Sequence, residues 1–310
     1  MPTPTIEASY VDQFSRDLRE VYQQRGSRLR RHITSDPLAA ENGYFDYIGV
    51  MTVSERIGRA QEVTTNPADI TRRKCGQRVF EASDYVDKFE QKIVSSPLSQ
   101  KIASAAAMAL GRQQDKMILQ RALGPNYGGR DGTTVYNLPG SATIANTYRE
   151  DNTSVSSNLT TGKLRKAMQM LSDNEAIEDD DEGGFGEQAR ITIVYTAFQI
   201  QALLASAEEL KVTGTTYEAL ASGKPNVLFM GMRFVRLQSA LVPLSSGGYR
   251  QVVAFTGDAL NYCNVSDIEV EMNYIPTKKS WLVSADYQGD AARLRDNGVI
   301  VINCDESAAM

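Results

Sequence analysis

Residues 69–80 read Asp69-Ile70-Thr71-Arg72-Arg73-Lys74-Cys75-Gly76-Gln77-Arg78-Val79-Phe80. Side chains of an extended segment alternate between two faces. Thr71, Arg73, Cys75 and Gln77 share one face here, and Arg72, Lys74, Gly76 and Arg78 share the other. Neither face turns apolar before Val79 and Phe80. A second strand-like run, "YFDYIGVMTV", occupies residues 44–53, and the polar link "TTNPAD" leads back from it. The two runs read as a ribbon with little hydrophobic face of its own. Such a ribbon is marginal in water by itself. It makes sense as an arm that gains its burial from neighbouring copies of the chain.

Upstream, residues 6–24 carry Ile6, Tyr10, Phe14, Leu18 and Val21 or Tyr22 at helical spacing. This gives one apolar stripe near a chain end, stopped by Gly26. The stripe must dock on something, and its own chain is only one candidate. Phe14 and Leu18 are therefore candidate interface residues. Directly after it lies "QQRGSRLRRHI", residues 23–33, with four arginines and the chain's single histidine, His32. Arg28, Arg30 and Arg31, with Arg72, Arg73, Lys74 and Arg78 in the ribbon, are the basic candidates for contact with another subunit or with phosphate. No aromatic residues interleave with Arg25–Arg31, so stacking on single-stranded nucleic acid is not expected.

Downstream, Ser96-Pro97 reads as a helix start, and the run to Leu123 as a long helix ended by Gly124-Pro125. Residues 124–162 are rich in Gly, Asn, Thr and Ser and read as a long loop with a small hairpin at "TTVYNL". Leu164, Ala167, Met168 and Leu171 mark another helix, followed by the acidic run "EDDDEGGFG". "ARITIVYT" reads as a strand and "AFQIQALLASAEEL" as a helix, the start of an α/β unit. "NVLFMGMRFVRL" and "RQVVAFTGDALNYC" add strand and helix segments. "SDIEVEMNYI", "KSWLVSADYQ" and "GVIVINC" then return as strands, with Trp281 expected to be packed.

The chain has 310 residues, 42% of them hydrophobic, and a formal charge of −5. That supports a sizeable core and argues against a surface wholly devoted to nucleic acid. No run is long enough to cross a membrane as a helix, and "MPTPTIEASY" lacks the pattern of a secretory leader. The three cysteines, Cys75, Cys263 and Cys304, are far apart and form no CxxC pair, so reduced thiols are expected. A lone histidine offers neither a His-pair metal site nor a triad. There is no GxSxG, GxxxxGK[ST] or GxGxxG. Read as a calcium loop, the acidic run places Ala189 where the terminal glutamate is needed. No catalytic residue, metal or cofactor is expected.

Taken in order, the segments resemble the major capsid protein of tailed double-stranded DNA bacteriophages, a fold shared with encapsulin shells. The resemblance is carried by "QQRGSRLR", "YFDYIG", "ASDYVDKFEQ" before "AAAMALGRQQDKMI", and the closing "SWLVSADYQGDAARLRDNGVIVINCDE". It implies an α+β chain with an N-terminal arm over 1–43 and an extended β-ribbon loop over 44–90. It further implies a peripheral domain with the long helix over 91–187, an axial α/β domain over 188–275, and strands over 276–310 that return to the sheet. It implies no enzymatic activity. It also implies self-assembly through hexamers and pentamers into an icosahedral head around packaged double-stranded DNA. A separate scaffolding protein and a portal are implied partners, no membrane is involved, and the location is the virion, with assembly in the host cytoplasm. Some members cross-link through Lys and Asn side chains, and no motif here indicates that. Three alternatives stand beside this reading. One is a nucleic-acid-binding module built on residues 25–31 and 72–78. Another is an encapsulin-like compartment, and the third is a metal-dependent enzyme built on the acidic run.

Overall fold

The computed structural model describes residues 23–55, 58, 62, 65–88, 98–150, 153–177, 191–209 and 227–307. Phe14, Leu18 and nearly all of the expected 6–24 helix lie outside the described residues, as do Ser96-Pro97 and the acidic run from Glu178.

The centre of the fold is a long hairpin. Strands β12 (Leu260–Ile275) and β13 (Ser280–Arg293) pair antiparallel, and β13 continues the sheet to β4 (Val79–Asp87). The short β1 (Thr34–Pro37) pairs parallel with the other edge of β12. Across this sheet lies helix α1 (Leu98–Leu123). Its end was legible: the Gly124 amide bonds back to Gln120 O at 2.8 Å before Pro125 stops the chain. Leu110, Met117, Ile118 and Leu119 of α1 meet Ala285 and Tyr287 of the sheet in one core, which also takes in Leu29 and Ile33.

A second sheet has six strands in the order β7-β14-β11-β8-β10-β9. These are β7 (Thr143–Ile144), β8 (Ile191–Tyr195), β9 (Val227–Phe229), β10 (Met232–Arg236), β11 (Arg250–Thr256) and β14 (Val299–Cys304). The alternation read in "ITIVY" separates its two buried faces. Val194 joins the α1 core, while Ile191, Ile193 and Tyr195 join a second core under helices α2 (Thr161–Asp173) and α3 (Ala197–Glu209). Every residue of β8 is therefore buried, as a central strand covered on both sides must be. Met230 and Gly231 both have positive φ between β9 and β10, the conformation a two-residue hairpin turn needs.

The third sheet is the ribbon, in the order β2-β3-β5-β6, with β2 (Asn42–Ile48), β3 (Ile70–Gly76), β5 (Asn126–Gly128) and β6 (Thr134–Tyr136). The hairpin expected at "TTVYNL" is present as β5–β6, and it widens the base of the ribbon.

Three expectations change. The run "RQVVAFTGDALNYC" holds no helix: it is β11, a tight turn at Gly257–Ala259, and the start of β12. Cys75 and Cys263 are not free thiols but a disulfide joining β3 to β12, with Cα atoms 6.6 Å apart. Their separation of 188 residues hid the pairing. Trp281 is 38% exposed rather than packed in the core, with its ring beside Tyr274 at 5.2 Å between centroids.

Candidate assembly site

The basic joint and the ribbon behave in opposite ways. The joint, residues 24–32, is fastened to α1 by one buried carboxylate. Asp115 accepts from the Ser27 hydroxyl at 2.6 Å, from the Arg28 and Leu29 amides at 3.0 Å, and from Gln24 Nε2 at 2.5 Å. A fully buried carboxylate needs this kind of satisfaction. Beside it, Gly26 (φ +65°) lies flat on Gly111 of α1, where a Cβ would come within 2.6 Å of Gly26 backbone. Asp115 and Gly111 fall inside "ALGRQQDKMI", so two quoted segments far apart in sequence meet here. The apolar stripe of α1 in the sequence, Leu98, Ile102, Ala106 and Leu110 continued by Met117 and Ile118, passes over both residues.

Arg28 and Arg30 of the joint find partners in their own chain. Arg28 donates to the Arg236 carbonyl at 2.6 Å. Arg30 pairs with Asp267 at 2.5 Å and lies over the Tyr262 ring. Arg31 is exposed. His32 is buried, with Nδ1 3.1 Å from Arg233 Nη1. Burial first, and then the charges of Arg233 and Arg31, push its pKa down to about 4. The ring is therefore neutral at pH 7 and accepts from Arg233.

The ribbon base is likewise fixed to its own body. The face carrying Thr71, Arg73 and Cys75 turns inward. Arg73, 3% exposed, stacks on Tyr136 at 3.6 Å and pairs with Asp296 at 2.6 Å. Asp296 also takes Arg293, a fully buried arginine that donates to Ala122 O and Gly124 O at the end of α1 and to Tyr136 O. On the outer face Arg72 forms a bidentate cross-strand pair with Asp46 at 2.6 and 2.7 Å. Lys74 and Arg78 border a cleft beside Asp290. One buried cation, Lys163, escaped the sequence reading. Its ammonium reaches four backbone carbonyls, of Asn146, Ser157, Asn158 and Asn303, and ties the long loop to β14. Burial lowers its pKa to about 8.

The ribbon tip is different. Ile48, Met51 and Ile70 are exposed, Val50 is 89% exposed and Val53 97%. A second unpartnered apolar strip lies on the sheet. Val270, Met272 and Tyr274 of β12 pair with Ala285, Val283 and Trp281 of β13, and so share the face on which α1 packs. The helix covers Val283 and Ala285 but leaves Val270, Met272, Tyr274 and Trp281 open. Among the described residues, no group of His, Cys, Asp or Glu could hold a metal ion, and no helix is long and apolar enough to cross a membrane.

This division, a self-fastened body with open apolar tips, is what an assembling subunit presents. The model of the phage capsid protein family matches residues 6–306. The chain belongs to that family. Solved structures agree on the fold. The capsid protein is similar to the capsid of Ralstonia phage GP4, with a TM-score of 0.71 at 12% identity over 96% of both chains. It is also similar to the Cyanophage Pam1 capsid asymmetric unit, with a TM-score of 0.69 at 12% identity over 95% of this chain and 96% of that one. The Mycobacterium phage Che8 chain gives 0.61 at 16% identity over 94% and 95%. No curated protein sequence matches the chain. The fold is thus the α+β tailed-phage capsid fold, and the capsid protein is a structural shell component rather than an enzyme.

Proposed function

We propose that copies of this capsid protein close an icosahedral head, through hexamers and pentamers, around packaged double-stranded DNA. In this reading the apolar ribbon tip of one subunit lies on the open strip at Val270–Tyr274 and Trp281 of the next. The observation that carries it is the exposure of both surfaces on a chain whose polar joints are already satisfied internally. A ribbon meeting a different patch on its neighbour is a head-to-tail contact, which closes only when many copies complete the shell. Burying apolar area then gives roughly 25 cal/mol per Å² at each contact. Many weak contacts sum in a closed particle.

The family supports further partners. A separate scaffolding protein guides closure, a portal occupies one vertex, and assembly takes place in the host cytoplasm before the protein resides in the virion. The N-terminal stripe with Phe14 and Leu18 is a further docking element. The test is Val50→Asp with Val53→Asp. Soluble, folded subunits that form no shells by electron microscopy are expected. Shells of normal yield and size from this variant contradict the role of the tip. Co-expression tests the helper separately, since correct closure without any scaffold removes it from the account.

A further inference from the structure

A cleft of about 460 Å³ opens where the ribbon base meets the end of α1. Lys74, Arg78 and Arg121 line it, and the carboxylate among its lining residues is Asp290. That carboxylate is already committed. Arg121 grips it with Nε at 3.1 Å and Nη2 at 2.5 Å, and it also accepts from the Ala291 amide at 2.9 Å. Arg78 reaches it only at 4.0 Å, from a half-exposed position at the rim. Lys74 has no carboxylate within ion-pair distance among the described residues, and its stem is held against Gly132, where a Cβ would meet Lys74 Cδ at 2.7 Å. Gln77 spends its carbonyl oxygen on Gln288 and keeps its amide N–H groups to donate, and Thr133 adds a hydroxyl. Three cations thus converge around one carboxylate, with neutral donors between them.

We infer that this cleft binds a phosphate group, held by Lys74 and Arg78 and oriented by the fixed Arg121–Asp290 pair. A dianion matches the two cationic charges left over, and charge-assisted bonds from Lys and Arg are the strong class of such contacts. The excess charge sits in a recess rather than on open surface, where screening is weaker. The phosphate can come from a free phosphate compound or from a nucleic-acid backbone. The site stands on the single subunit and does not depend on how subunits assemble.

The test titrates full-length protein with sodium phosphate at constant ionic strength set by chloride, reading the unfolding temperature and phosphorus NMR line width. Wild-type protein should saturate, with a raised unfolding temperature. Lys74→Gln and Arg78→Gln should each need about tenfold more phosphate, while Arg78→Lys stays near wild type. Arg78 is at the surface and Lys74 is half-buried, and near-UV circular dichroism reports the folding of both variants. Should Lys74→Gln misfold, the Arg78 pair carries the comparison alone. A short duplex that displaces bound phosphate identifies the backbone as the source; phosphate that stays bound identifies a free compound. Equal response to phosphate and chloride, or unchanged binding by folded Lys74→Gln and Arg78→Gln, overturns the site.

Discussion

The joint at residues 24–32 and the ribbon tip around residues 48–53 are both chain segments that leave the body, yet they are built on opposite principles. The joint is rich in charge, and Arg28 and Arg30 spend theirs on their own chain, at Arg236 O and Asp267, while its neutral donors satisfy Asp115. The tip carries almost no charge and leaves Ile48, Val50, Met51 and Val53 in water. In this chain Arg28, Arg30, Arg73 and Arg293 mark fastenings within the subunit, and the bare apolar residues of the tip are the surface proposed for another copy. A buried charge without a partner is costly, so it must be satisfied before assembly begins. Apolar surface tolerates solvent and can wait.

The comparison breaks most sharply at Asp115. Asp115→Ala leaves the buried Leu29 amide and the half-buried Ser27 hydroxyl and Arg28 amide without their acceptor. Denaturant unfolding of the unassembled subunit should show a loss of about 3–5 kcal/mol. The disulfide comes next. Cys75→Ala with Cys263→Ala should cost about 2–4 kcal/mol by the same measurement, because it releases a crosslink over a very long loop. Gly111→Ala should cost about 1–3 kcal/mol, as the added methyl meets Gly26 backbone and one strand of the contact must shift. A thermal melt of that variant beside wild type checks it.

The smallest effect is expected from His32. Its folded pKa, about 4, lies below the ordinary value of 6.5, so the unfolded chain binds more protons between them. Subunit stability should therefore fall as the pH drops through 6.5 towards 4. His32→Gln, which accepts from Arg233 without titrating, should flatten that slope. Equal slopes in the two proteins would remove His32 from the acid response.

Much of this architecture can be read from residue patterns, and the exceptions share a cause. The end of α1 at Gly124-Pro125, the alternation of "ITIVY" and the three closing strands are local signals, and each appears where the pattern puts it. Pairings across the chain leave no local trace. The sequence separation of 188 residues concealed the disulfide. Gly111 and Asp115 look like interruptions of a helix stripe until the joint is laid over them. Arg73 reads as a candidate contact for another subunit or for phosphate, yet it shares Asp296 with the buried Arg293. The ribbon's lack of an apolar face was legible, but half of its consequence was not. Its base is held on its own body through Arg73 and Cys75, and its barest apolar residues, Val50 and Val53, are at the tip.

Hydrogen–deuterium exchange on free subunits and on closed particles measures that division most directly. Amides of residues 49–55 and 65–69, beyond the β2–β3 ladder, should exchange rapidly in the free subunit and become strongly protected in the shell, while those of residues 28–30 and 32 exchange equally slowly in both. Equal exchange of the tip in the two states would contradict the claim that sister copies cover it.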